Sequence, residues 1–247
     1  MASTDKAYRA IFFDWDGTAV TSRSAPVDEV VPLMKRLLSQ GVILAVISGT
    51  TYNNIAYGKL HEQFTPVELG SLFMGLGRGA FAYEFSRGNP VIFHEVLPDG
   101  ETLLDLHRLV FDFHLSLLSK YGIPTDIVFS RPNYCKVDLL VGLDRGQKKY
   151  LDHREVGILT ALLEAHGYDR GLRGLLRDVT EKGQSMGLPV RATLDAKYLE
   201  VGLTTKADSV DSILRRIRSR HDLPVEACAF WGDEFGHLAE GVPGSDA

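Results

Sequence analysis

Near its amino terminus the chain reads Arg9-Ala-Ile-Phe-Phe-Asp-Trp-Asp-Gly-Thr18, an apolar run that opens into two carboxylates and a glycine. Ala10 to Phe13 form a short continuous hydrophobic stretch, the pattern of a strand buried on both faces of a parallel sheet. In extended backbone, residues two apart point the same way, so Asp14 and Asp16 are expected side by side where the strand becomes a loop. Two like charges a few ångströms apart raise one another's pKa unless a cation lies between them or one stays protonated. The first arrangement makes a Mg²⁺ site, the second a nucleophile beside a general acid. Gly17 supplies the tight turn, and Thr18 is placed to hydrogen-bond back and hold the loop. On its own, Asp-Trp-Asp-Gly-Thr is more often only a polar turn closing a strand. The partners downstream shift the balance.

From Pro26 to Gln40, apolar residues at Val27, Val30, Val31, Met34, Leu37 and Leu38 predict a helix stopped by Gly41. Val42 to Ile47 is a second all-apolar strand, ending in Ser48-Gly49-Thr50-Thr51. Strand, helix, strand is a βαβ unit, and such sheets bind ligands at the carboxyl ends of their strands, which places Ser48 beside Asp14. A hydroxyl followed by glycine can donate a side-chain and a backbone hydrogen bond to a phosphate oxygen. Leu72 to Phe85 predicts a glycine-broken strand, then a twisted edge hairpin, within which Arg78 reads as a surface salt-bridge former or as a contact for an anionic substrate.

The pattern changes from about Glu84 to Lys197. Strands are predicted at Val91–Val96, Tyr134–Leu143 and near Val190–Thr193, with helices at Leu103–Lys120, Val156–His166 and Leu172–Met186, together a separate α+β insert. His94, His107, His114, His153 and His166 share no short spacing, which favours ordinary surface or core roles over metal binding. Tyr198 to Val201 then reads as a strand, and Lys206 precedes a helix from about Ala207 to Arg220. A lysine at a helix amino terminus opposes the helix dipole, a placement that makes sense if a phosphate or carboxylate is held in front of it. The Arg-rich piece from Arg215 to Arg220 reads as a solvated helix face. Last comes Ala227-Cys-Ala-Phe-Trp-Gly-Asp-Glu234, again a hydrophobic strand ending in carboxylates.

The balance of 27 basic and 32 acidic residues gives a net charge of -5, without the broad basic surface that nucleic acid binding needs. Cys135 and Cys228 have no metal-ligand spacing and read as free, buried thiols of a reducing compartment. Met1 to Lys6 lack an apolar signal core and no run reaches membrane-spanning length, so a soluble cytoplasmic protein without a membrane partner is expected. Oligomeric state is left open.

Four strand and helix ends in this order resemble the motifs of the haloacid dehalogenase-like (HAD) phosphohydrolases, whose first motif is an apolar strand followed by DxDGT, here Ala10 to Thr18. Ser48-Gly49 resembles the second motif, Lys206 the third and Asp233 the fourth. Arg78-Gly79-Ala80 looks like the Asn-Gly-Ala of the Cof-like members, subfamily IIB. The resemblance implies an α/β fold: a Rossmann-like parallel-sheet core over residues 1–83 and 198–247, and an inserted C2-type cap, of the C2B kind, over 84–197. It implies that Asp14 attacks phosphorus and forms an aspartyl-phosphate, and that Asp16 protonates the leaving oxygen and then activates water. Ser48 and Lys206 would hold phosphoryl oxygens, and Mg²⁺ would be held by Asp14, the Asp16 carbonyl and Asp233. Gly17, Thr18, Gly49 and Arg78 would line the substrate, and Arg131, Asn133 and Lys136 would reach it from the cap.

The implied activity is Mg²⁺-dependent hydrolysis of a small phosphorylated metabolite such as a sugar phosphate, with a phosphosugar mutase or a weakened phosphate-binding module as alternatives. Relatives usually read GDxxND at the fourth motif. Here Gly236 and His237 stand at the last two of those positions, leaving Glu234, Asp246 or a water to supply the missing charge. Relatives also continue with a further strand and helix, so a truncated chain with one sheet edge to protect is expected.

Overall fold

The computed structural model describes residues 8–22, 25–143 and 153–246, with His153 described by its backbone alone. Met1 to Lys6, on which the reading of the amino terminus rests, and Ala247 lie outside the described residues. The chain divides into two compact units, the first comprising residues up to Val96 together with Lys206–Asp233, the second Leu97–Thr205 together with the segment from Glu234 onward.

The first unit begins with strand β1 (Ala10–Asp14), buried at every position. Helix α1 (Val30–Ser39) starts later than its apolar spacing predicts. Pro32 is the reason: a helix from Pro26 would put it in the interior, where its missing N–H costs a bond, whereas a start at Val30 keeps it in the first turn. Strand β2 (Ile43–Ile47) lies parallel to β1, with Asp14 opposite Ile47. Short single-turn helices between Tyr52 and Gln63 lead to helix α2 (Pro66–Leu69), closed by a Thr65–Glu68 capping box. Strand β3 (Leu72–Leu76) adds parallel to β2. Strands β4 (Phe81–Ser86) and β5 (Asn89–Glu95) turn back antiparallel. The predicted edge hairpin is therefore displaced by one strand: β3 is interior, between β2 and β4, and β5, read from the pattern as part of the insert, is the edge.

In the second unit helix α3 (Gly100–Tyr121) is capped by Asp99, which accepts the Thr102 N–H at 2.8 Å, and ends at Gly122 in left-handed backbone, φ 67°. Strands β6 (Asp126–Val128) and β7 (Tyr134–Asp138), helices α4 (His153–Ala165) and α5 (Gly171–Ser185), and strands β8 (Arg191–Leu194) and β9 (Tyr198–Gly202) follow. They give a four-stranded antiparallel sheet in the order β6-β7-β9-β8. The strand read at Tyr198 to Val201, expected as part of the parallel-sheet core, sits here instead. Its alternation explains why: Leu199 and Val201 join Cys135, Val137 and Leu194 in the apolar core, while Glu200 on the other face pairs with Lys136 at 2.5 Å. A strand with one polar face suits a one-sided antiparallel sheet, not a parallel sheet covered twice.

Helix α6 (Lys206–Arg218) and strand β10 (Cys228–Trp231) belong to the first unit, where β10 pairs parallel to β1. The first sheet thus runs β10-β1-β2-β3-β4-β5, and α6 packs on the face carrying Phe12, Ala45, Ile47, Phe73 and Ala82. Strands β11 (His237–Ala239) and β12 (Val242–Pro243) form a hairpin whose Leu238 and Val242 complete the second unit's core. No helix among the described residues is long and apolar enough to cross a membrane.

Candidate active site

The three parallel strands β10, β1 and β2 end level with one another, Trp231 beside Phe13 and Asp14 beside Ile47. The residues that follow them are therefore neighbours, whatever their distance in sequence. Asp14 is buried, and the Lys206 ammonium at the first residue of α6 reaches it, Nζ to Oδ1 at 2.8 Å. With the Lys206 side chain 16% and the Asp14 side chain 6% exposed, little water screens this pair. Oxygens of Asp14 and Asp233 lie within 4.8 Å of one another.

The loop after β1 is tight. Gly17 adopts φ 93° and donates its N–H to the Val20 carbonyl at 2.7 Å, while Ala19 and Val20 both donate to the Trp15 carbonyl. Trp15, 1% exposed, sinks into the hydrophobic core and anchors the segment between the two aspartates. Among the described residues, the Thr18 hydroxyl bonds outside its own loop. Its Oγ1 accepts the Asp233 N–H at 2.9 Å and donates to Asp233 Oδ1 at 3.2 Å, stitching the first loop to the last.

Ser48 is buried, and its N–H donates to the Gly75 carbonyl at 2.9 Å. Its Oγ accepts the Thr50 N–H at 3.2 Å, a local turn that shapes the Ser48-Gly49-Thr50 loop. Thr50 in turn accepts from Asn54 Nδ2 at 2.8 Å. Across from it, Gly77 donates to the Thr50 carbonyl and Arg78 to the Ser48 carbonyl. Gly77, Arg78 and Gly79 are all left-handed, at φ 64°, 56° and 99°. Arg78 is 2% exposed, which overturns the surface salt bridge considered from sequence. A buried arginine in left-handed backbone is held there by its surroundings against a local cost of about 1–3 kcal/mol.

Asp14, Thr18, Ser48, Arg78, Lys206 and Asp233 thus all belong to the first unit, with Asp16, Gly17 and Gly49 in the same loops. Arg131, Asn133 and Lys136 belong to the second, where Asn133 Nδ2 donates to Thr204 Oγ1 at 3.3 Å. Burial works to discharge the Lys136 ammonium, but Glu200 together with Tyr134 and Asp195 outweighs it, and the Lys136 pKa is pushed up. Glu234, a candidate for the missing charge at the fourth motif, has its carboxylate engaged by the Ser245 N–H and hydroxyl, and Asp246 accepts the Glu234 N–H at 3.0 Å. His237 opens β11. His114 bonds Thr125 and His166 bonds the Tyr121 carbonyl, roles that serve the second unit's packing. Both cysteines are free and buried, and burial pushes the Cys135 thiol up to about 12. The sequence reading missed the Thr18–Asp233 pairing, because a hydroxyl inside one loop carries no sign of which distant loop it will meet.

No family model matches the sequence, and no curated protein matches it. Among solved structures, the Plasmodium falciparum IMP-nucleotidase recurs. An IMP-bound mutant of it superposes with a TM-score of 0.61 at 12% identity, over 94% of this chain and 61% of that one. The ATP-bound form gives 0.59 at 13% identity, over 99% and 55%, and an N-terminally truncated form 0.57 at 12%, over 94% and 65%. This chain spans less than two thirds of the length of those structures. Likeness at such identity is a likeness of fold, and the fold shared is the haloacid dehalogenase-like one.

Proposed function

We propose that the chain is a phosphatase that hydrolyses a small phosphorylated metabolite through an aspartyl-phosphate on Asp14. The observation that carries this is the 2.8 Å contact between Lys206 and a buried Asp14, at the ends of strands where Ser48 and Asp233 also emerge. A carboxylate approaching a phosphate dianion is repelled, so the reaction needs cations and hydrogen-bond donors fixed beforehand. Lys206 supplies one charge, and Ser48 with the Gly49 backbone supplies donors. In the first step an Asp14 oxygen bonds to phosphorus, the ester P–O bond breaks, and Asp16 gives its proton to the departing oxygen. In the second, Asp16 takes a proton from water, the hydroxide attacks phosphorus, and phosphate leaves as the Asp14 carboxylate is restored.

Asp14, Asp233 and the Asp16 carbonyl offer only oxygen ligands, two of them carboxylates within 4.8 Å of each other, and this donor set fits Mg²⁺. Once bound there, Mg²⁺ would offset the charge shared by phosphate and carboxylate. We further infer that the first unit is the catalytic core and the second a C2-type cap. A sugar phosphate is the favoured substrate class. The test is phosphate release from a panel of sugar phosphates and nucleoside monophosphates, with and without Mg²⁺, for the native chain and Asp14→Asn. Release confined to the native chain and to Mg²⁺ is expected; equal release by Asp14→Asn would sink the covalent route. Product analysis separates release to water from return of the phosphoryl group to a sugar.

A further inference from the structure

The face of the first sheet that receives α6 is bare at one point. Gly75, in β3, pairs with Ile47 on one side and Ala82 on the other. A methyl group built on it would lie 2.4 Å from Ser209 Cβ, 2.8 Å from Ser209 Oγ and 3.0 Å from Ile47 Cδ1. Ordinary contacts between carbons sit at about 3.5–4.0 Å. The first turn of α6 therefore rests directly on strand backbone. Ser209 is 1% exposed and its hydroxyl oxygen has no hydrogen-bond partner among the described residues, so this contact provides close approach and not a polar bond. Ser209 follows Lys206 by three residues, a spacing that puts both on one helix face, about 4.5 Å apart along the axis. Where Ser209 seats, the lysine follows.

We propose that Gly75 is a positioning residue: the lack of a side chain there sets the height of α6 over the sheet and so puts Lys206 Nζ in contact with Asp14. A Cβ at this place lifts the first turn by about 1 Å, the scale of misplacement that can cost about 100-fold in rate. The kinetic part of this inference rests on the phosphatase reading; the geometric part does not.

Two measurements separate them. The first is competitive acetylation of Lys206 by trace acetic anhydride, read by mass spectrometry in the native chain, Gly75→Ala, Gly75→Ala/Ser209→Gly, and Asp14→Asn as the standard for a broken pair. Labelling should rise several-fold in Gly75→Ala toward the Asp14→Asn value and fall back in the double variant. The second is kcat on an aryl phosphate, which should drop about tenfold or more in Gly75→Ala and recover in the double variant. Should Gly75→Ala not fold, Ser209→Thr crowds the same contact from the helix side and is expected to act the same way. Labelling unchanged by either substitution, or raised but not reversed by the double variant, overturns the proposal. The expected labelling in a chain with no Asp14-dependent phosphate release would leave the positioning role standing and remove the phosphatase reading.

Discussion

Asp233 stands on an exposed loop, and a carboxylate there would move among rotamers unless something fixed it. Thr18 fixes it twice, by accepting its N–H and donating to its Oδ1. If Asp233 holds Mg²⁺ as proposed, Thr18 orients a metal ligand, and groups that do so are typically worth about 10–100-fold in metal affinity. Thr18→Val keeps the branched shape and removes both bonds, so the Mg²⁺ concentration for half-maximal activity should rise by about that factor. A metal titration with an unchanged midpoint would refute the role given to Thr18. Asp16 is tested by its leaving group. If it donates the proton, Asp16→Ala should slow an alkyl phosphate far more than p-nitrophenyl phosphate, whose phenolate departs without help. Equal losses on the two substrates would take the acid role away from Asp16.

Helix α6 is pinned at both ends, and the distal pin went unread in the sequence. Arg216 reaches Glu84 on β4 with Nε at 3.0 Å and a second bond from Nη2, and Arg220 adds a contact at 2.9 Å. Alternating charge and apolar spacing shows that Arg216 faces away from the hydrophobic stripe, but not that a strand 132 residues earlier supplies its partner. The Arg216 hydrogen bond, helped by Arg220, holds the Glu84 carboxyl below its ordinary 4.5. A carboxyl depressed on folding adds stability above its unfolded pKa and loses it as pH falls through the folded value. Glu84→Gln should therefore lower the melting midpoint by about 2–4 °C at neutral pH, with the gap closing in acid below 4.5. A gap that stayed constant with pH would mean packing, not charge, holds this corner. Strands β1, β2 and β10 were legible because each is an apolar run, and the placing of Asp14, Ser48 and Asp233 at the ends of those runs was legible for the same reason. The sheet that β9 joins and the burial of Arg78 were not, since pairing partners and left-handed turns are settled by tertiary contacts that leave no local pattern.

The chain crosses between its two units after Val96, after Thr205 and again after Asp233, so neither unit is one continuous stretch. The last crossing has an energetic consequence that concerns the second unit alone. Its core is closed by Leu238 and Val242, 9% and 1% exposed, which come from the hairpin beyond the last strand of the first sheet. Burial of such side chains is worth about 1.5–3 kcal/mol each, so a chain ending at Asp233 forfeits about 3–6 kcal/mol from the second unit. The first unit keeps its six strands and both of its apolar clusters. Hydrogen exchange read by mass spectrometry should then show amides of β7 and β9 exchanging about 10²–10⁴ times faster in the shortened chain, since about 1.4 kcal/mol of opening energy is a factor of ten. Amides of β1 and β2 should stay close to their native rates. Equal acceleration in both sheets would show instead that the two units open as a single cooperative body, and the hairpin would then count as a support of the whole molecule.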